Sequence, residues 1–220
     1  MIFNLVFIAS LIFTLIRNFY VAERLICKPS NDFVQIFAPP GTGKTTLAAK
    51  IVREANKEGK TVYCNVPIIS ANMFDLKDLG KYDFSHTKII IDEAGFEISN
   101  RNWHTNLNDD QIKALKLHRH DDIDIYLFSQ SYDEIDKKFR ELTTKLLMLT
   151  KSKIPFFVYA TAIKKTMQLI NGQIVQFFEI DKPNCFRFFI VNLWAYFNSY
   201  QSPKLPSKKN IKKYMKSDTL

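Results

Sequence analysis

Cysteine is scarce in this chain: three residues in 220, Cys27, Cys64 and Cys185, lie far apart with no CxxC pair. An odd, scattered set argues against a disulfide framework or a cysteine-rich zinc module, and fits reduced thiols in a cytosolic setting. No internal repeat is visible, which argues against a solenoid or a propeller. Charge is missing from Met1 to Ile16, where Asn4, Ser10 and Thr14 are the only polar interruptions in a run of Ile, Leu, Phe, Val and Ala. Glycine is also sparse, with six residues against nineteen Phe, and two of the six, Gly41 and Gly43, fall within residues 38–46.

That stretch, Ala38-Pro39-Pro40-Gly41-Thr42-Gly43-Lys44-Thr45-Thr46, follows a short apolar alternation and opens into Leu47-Ala48-Ala49-Lys50-Ile51-Val52, which has helical spacing. Strand, glycine-bearing loop and helix are the context of a phosphate-binding loop, although Ala38 stands where the usual pattern begins with Gly. Backbone N–H groups of Pro40–Thr46 (Pro40 itself shapes the turn) would face the phosphates, with Gly41, Thr42 and Gly43 forming the cradle and Thr46 continuing into the helix. Lys44 would reach the terminal phosphates and the Thr45 hydroxyl would ligate Mg²⁺, so ATP and Mg²⁺ are the expected cofactors. A second element supports this reading. Thr87-Lys88-Ile89-Ile90-Ile91-Asp92-Glu93 reads as a buried parallel strand that delivers two carboxylates at its carboxyl end. Asp92 is then the second metal-site residue, and Glu93 the group that orients and deprotonates an attacking water. The alternative is that the two acids cap the following helix.

The length suits one α/β domain with small additions at its ends. Strands alternating with helices to about residue 150 predict a P-loop NTPase fold with a central parallel sheet and helices on both faces. The expected order is a strand at 32–37, a helix ending near Glu58-Gly59, a strand at 61–66, a short helix and loop over 70–86, and the strand at 87–91. There follow an irregular stretch over 99–108, a helix at 109–120, a strand at 123–129 and a helix at 133–142. Beyond 145 the chain turns strand-rich: 145–149, 156–163, a hairpin turning at Asn171-Gly172, and 186–196. Residues 28–200 are thus expected to form the ATPase domain. Residues 1–27 read as a membrane anchor, a single transmembrane helix, although sixteen apolar residues at about 1.5 Å each span roughly 24 Å against a hydrocarbon core of about 30 Å. A cleaved signal peptide and a buried core helix are the other readings. Arg17, Arg24 and Lys28 follow the run, which predicts a single-pass membrane protein with its ATPase domain in the cytoplasm. The net charge is +9, and the tail over 201–220 concentrates it: Lys204 to Leu220 holds six Lys and one Asp, five of the nine net positive charges. Such a tail reads equally as a solvated segment or as a nucleic-acid or anionic-lipid contact.

The local matches taken together resemble the zonular occludens toxin family, which includes the assembly ATPases of filamentous phages. They run from Ala38–Thr46 through Tyr63-Cys64-Asn65-Val66-Pro67 and Ile91-Asp92-Glu93-Ala94 with the trailing Arg101. They continue through His118-Arg119-His120, Asp124-Ile125, Ser129-Gln130-Ser131, Ile135-Asp136 and Arg140-Glu141-Leu142, to the aromatic stretch Tyr196–Tyr200. Members commonly carry a membrane segment after the ATPase domain, whereas here the apolar run precedes it, so the role of the extracytoplasmic part is not carried over.

The resemblance implies a motor that drives assembly and extrusion of a single-stranded DNA phage at the host membrane as a homo-oligomeric ring. Its partners would be the phage DNA or its nucleoprotein complex, the host membrane, and phage coat or envelope assembly proteins. Gln130, expected beside the acid-bearing strand, would sense the γ-phosphate and orient water. Arg140, ahead of Arg119 and Arg101, would supply charge to a neighbour's nucleotide. His118 and His120 are expected to shape a helix end more than to bind metal, and Trp103 and Trp194 to serve packing more than base stacking. Competing readings are a DNA-translocating or packaging ATPase of another virus or plasmid, and a nucleotide-gated scaffold with little turnover.

Overall fold

The computed structural model describes residues 8, 10, 12–14, 16, 32–98, 108–170 and 173–197. Its centre is a nine-stranded sheet in the order β3-β2-β4-β5-β1-β6-β7-β8, with β9 also paired to β7. The strands are β1 (Phe33–Phe37), β2 (Val62–Cys64), β3 (Asn72–Met73), β4 (Lys88–Ile91), β5 (Asp124–Ser129), β6 (Lys145–Lys151), β7 (Phe157–Ile170), β8 (Gln173–Ile180) and β9 (Phe186–Phe189). Four α-helices are described: α1 (Lys44–Lys57), α2 (Ala94–Glu97), α3 (Asp109–Leu117) and α4 (Lys137–Leu142). All pairings from β3 across to β6 are parallel, while β7 pairs antiparallel with β6, β8 and β9. The fold is therefore mixed α/β around a mostly parallel sheet.

The alternation of each strand explains why both faces are covered. Successive side chains point to opposite faces, so Val34, Ile36, Ile90, Tyr126 and Phe128 join the core formed with α1, around Leu47, Ala48, Ile51 and Val52. Phe33, Ile89, Ile91, Ile125 and Leu127 enter the opposite core with Leu115 of α3 and Phe139 of α4. Strands buried on both faces read as continuous apolar runs, as Lys88–Ile91 and Asp124–Ser129 do once their first charged residue is passed.

Those leading charges have a structural role. Lys88 and Asp124 are register partners at the amino ends of β4 and β5. The Lys88 Nζ lies 3.3 Å from Asp124 Oδ2 and 3.7 Å from Glu58 Oε2, with both Lys88 and Asp124 side chains almost wholly buried. The Asp32 N–H donates to Asp124 Oδ1 at 3.0 Å, and Asp32 in turn pairs with Lys145 at the start of β6. One chain of charges thus ties together the starting ends of four adjacent parallel strands.

Several expectations need correction. Among the described residues no helix is long and apolar enough to cross a membrane. The expected transmembrane helix, and with it the single-pass membrane localisation, is not supported: the uncharged run is sixteen residues, short of the roughly 20 that a spanning helix needs. Residues 8, 10, 12–14 and 16 are helical, and the remainder of 1–27 lies outside the described residues, as do the basic tail over 201–220, Arg101, Trp103 and the Asn171-Gly172 turn. The helix expected at 133–142 is split, because Asp136 caps a new helix by accepting from Lys138 N–H at 2.8 Å. The strand expected over 186–196 stops at Phe189, whose partner Phe157 is the first residue of β7, so pairing has nothing further to run along. Val191–Tyr196 forms a 3₁₀ helix instead.

Removing one member of a buried pair strands the other's charge. Asp124→Ala should lower the unfolding free energy by about 3–5 kcal/mol in urea titration, and a loss under about 1 kcal/mol would mean that the strand-end charges are solvated.

Candidate functional site

Strand β1 ends under a loop whose shape its glycines permit. Gly41 has φ +71° and Gly43 φ +106°, backbone conformations that side chains with a Cβ rarely adopt. A Cβ on Gly43 would also lie 3.2 Å from Val158 Cγ2, so a side chain here would be strained in conformation and would press on Val158. The Gly43 carbonyl accepts from Leu47 N–H at 3.0 Å, which starts α1 at Lys44. The first turn of α1 contains no acidic residue, which leaves its positive end facing the loop unopposed. The Thr42 hydroxyl donates to the Pro39 carbonyl at 2.8 Å, and Lys44 Nζ folds over the loop to donate to the Ala38 carbonyl at 2.8 Å. The loop is pre-shaped by its own side chains.

The carboxylates come from β4, two strands away from β1 with β5 between. Asp92 is buried, and its Oδ2 accepts from the Thr45 hydroxyl at 3.1 Å while its Oδ1 accepts from the Glu93 N–H at 3.0 Å. Its main chain is clasped by Asn65, whose Oδ1 accepts from Asp92 N–H at 2.7 Å and whose Nδ2 donates to the Asp92 carbonyl at 2.9 Å. Burial pushes the Asp92 carboxyl above its usual range, against the lowering effects of the Glu93 N–H, the Thr45 hydroxyl and the Lys44 charge. Burial likewise pushes the Cys64 thiol up to about 12, with a backbone hydrogen bond at Val66 opposing and the Asp92 charge reinforcing, so this thiol is inert. Glu93 adopts a left-handed conformation, φ +50°, and its side chain is exposed.

A cleft of about 630 Å³ collects Pro40–Thr46, Asp92, Glu93 and Gln130. Gln130 stands at the end of β5, the strand between β1 and β4, and its N–H donates to Glu134 Oε2 at 2.8 Å, leaving its side chain exposed at the cleft. The rest of the lining comes from the β6–β7 connection, Lys151, Ser152 and Ile154 to Val158, together with Ile190, Trp194 and Phe197.

Arg140 is not part of this cleft. Its Nη1 donates to Asp133 Oδ1 at 2.6 Å, its guanidinium lies 4.7 Å from the Tyr132 ring centroid, and its side chain is mostly covered. The structure thus separates Arg140 from the other sequence-chosen residues within one chain. His118 is buried, donates from Nδ1 to the Leu115 carbonyl at 2.8 Å and sets its ring edge-on to Phe33, a packing role at the end of α3. Trp194 departs from the packing role expected of it, being half exposed at the cleft mouth. Two features escaped sequence reading: the Asn65 clasp, signalled only by a polar residue closing a strand, and the rest of the cleft lining, which no local pattern announces.

A phosphate-binding loop on the central strand of a parallel sheet, with a carboxylate from the next strand but one hydrogen-bonded to the loop threonine, defines the class as a P-loop NTPase fold. The zonular occludens toxin (Zot) family model matches residues 69–185, more than half of the sequence, and the chain belongs to that family. The crystal structure of the N-terminal domain of zonular occludens toxin from Neisseria meningitidis superposes with a TM-score of 0.53 at 16% identity, covering 76% of this chain and 98% of that one. The genome packaging NTPase of Sulfolobus turreted icosahedral virus 2, in complex with ATP-gammaS, aligns more distantly, with a TM-score of 0.45 at 13% identity over 61% of this chain and 92% of that one. No curated protein sequence matches the chain.

The raised Asp92 carboxyl makes a signed prediction. An Asp whose folded pKa lies above its unfolded value loses stability as pH rises through the folded value. With no triphosphate bound, Asp92→Asn should therefore melt at a higher temperature than the parent at pH 7, with the advantage disappearing as the pH falls below 4. Equal melting at both pH values would place the carboxylate in water.

Proposed function

We propose that the chain is an ATP hydrolase that drives assembly and extrusion of a single-stranded DNA phage. The observation that carries this reading is the Thr45–Asp92 hydrogen bond directly beneath the glycine loop, with the Glu93 carboxylate opening onto the same cleft.

The donor set fits Mg²⁺, since a threonine hydroxyl and a carboxylate are hard oxygen ligands, and their mutual hydrogen bond brings them within reach of one ion. Thr45 and Asp92 would hold it, and when bound it supplies charge neutralisation to the phosphates. Backbone N–H groups of Gly41–Thr46 and the positive end of α1 receive the phosphate chain. Lys44 exchanges its loop carbonyl for a terminal phosphate oxygen, which costs little because the carbonyl bond is replaced by a charge-assisted one. Glu93 is the exposed acid of the pair. It can take a proton from water at the open side of the cleft, while the Asp92 carboxylate is held by two hydrogen bonds and its main chain by two more. Gln130, aimed from the neighbouring strand end, orients that water.

Extrusion and a ring follow from the family's phage members and from the net charge of +9, which suits a threaded polyanion. Phage DNA or its nucleoprotein complex and phage coat or envelope proteins are the partners of this reading. Arg140 remains the candidate for charge given to a neighbour's nucleotide, and would have to leave Asp133 to do so.

Hydrolysis measured at high protein concentration, with and without single-stranded DNA, tests the proposal. Turnover should rise with the single strand, vanish in Lys44→Ala together with triphosphate binding, and fall about 10²-fold or more in Glu93→Gln with binding retained. Glu93→Gln turnover within twofold of the parent would remove Glu93 as the base. Stimulation by duplex alone would turn the reading to a duplex-packaging motor.

A further inference from the structure

The phosphate-binding part of the cleft is polar and positively oriented, yet the rest of its lining carries aromatic rings. Phe156 and Trp194 are 56% and 51% exposed there, although their immediate neighbours Phe157 and Leu193 are buried. Two large rings left half in water in the lining of a polar cleft keep apolar surface exposed that a bound planar group would cover. Neither is a loose surface residue. The Phe156 carbonyl accepts from the Ile190 N–H at 3.0 Å, and the Leu193 N–H donates to the Ile190 carbonyl at 3.0 Å. The turn bearing Phe156 and the 3₁₀ helix bearing Trp194 are thus one hydrogen-bonded unit. The buried Leu193 locks that unit into the core beneath α1. Phe156 also adopts φ +64°, a left-handed conformation unusual for a bulky side chain. The turn that imposes it sets this ring in the lining of the cleft.

We propose that Phe156 and Trp194 form the platform for the nucleobase of the bound triphosphate, so that the β6–β7 turn and the 3₁₀ helix complete a site whose phosphate half is the glycine loop. This rests on the nucleotide reading of the cleft given above. The geometry suits it: Val158, two residues beyond Phe156, adjoins Gly43 of the loop, and both rings line the same cleft as the loop. Stacking uses the π face that every base has, so the platform supplies affinity with little choice between purines.

The test is calorimetric titration of the full chain with Mg²⁺ and two probes, ATP-gammaS and inorganic tripolyphosphate. The parent should bind ATP-gammaS more tightly than tripolyphosphate. Phe156→Ala and Trp194→Ala should each weaken ATP-gammaS about tenfold or more while leaving tripolyphosphate unchanged, and Phe156→Tyr and Trp194→Phe should restore it. Unchanged tripolyphosphate binding in the alanine variants also shows that they are folded. ATP-gammaS affinity within twofold of the parent in both alanine variants overturns the platform alone. The same holds for a parallel loss of both probes that the conservative variants do not restore. A selective loss of single-stranded DNA binding with ATP-gammaS unaffected would reassign the rings to nucleic acid and also overturn it. A parent that binds neither probe removes the phosphate-loop reading, and the platform falls with it.

Discussion

The site depends on one buried carboxylate held from every side. Asp92 reaches the phosphate loop through Thr45, reaches the next residue through the Glu93 N–H, and is clasped at both main-chain atoms by Asn65. The observed strand order, with β5 between β1 and β4 and β2 on the far side of β4, is what brings these groups together. The carboxylate is costly to bury, as its raised pKa records, and the cost is met by contacts from three separate segments of the chain. A cation bound beside it would reverse that penalty, so the loop and the acid are most comfortable together when the cleft is filled.

The opposite rim of the sheet uses the same kind of interaction for a different end. Lys88, Asp124, Asp32, Lys145 and Glu58 link the starting ends of the strands and hold them in register. A one-residue slip of β4 against β5 would turn Ile90 from the α1 core to the other face and would part Lys88 from Asp124. Charges at one end of the strands therefore guard the alignment that puts Asp92 and Gln130 at the other end.

Much of this was legible from residues close in sequence. The glycine loop, the strand ending in Asp92-Glu93 and the helix from Asp109 depend on local spacing, and each emerged near its expected limits. The misread elements depend on partners distant in the chain. Phe186–Tyr196 has the composition of one strand, but it ends at Phe189 because β7 begins at Phe157. Asn65 reaches Asp92 because β4 lies beside β2, and Phe156 and Trp194 share the cleft lining because a turn and a helix some forty residues apart are joined through Ile190. The uncharged amino-terminal run was read as an anchor from its hydropathy and the basic residues after it, and neither makes sixteen residues long enough to span a bilayer.

Strand β7 is continuous over fourteen residues, about 45 Å of extended chain. Its first residues touch the glycine loop through Val158, while its last four, Met167–Ile170, stand exposed beside β8. Past Ile163 it has lost β6 and keeps β8 alone as a described partner. The ribbon is rooted in the domain where Lys165 donates to the Arg140 carbonyl and Phe178 sets its ring edge-on to Tyr132, and it is exposed over Met167–Ile170. A molecule that docked on those exposed residues would sit on the same continuous strand whose second residue adjoins Gly43.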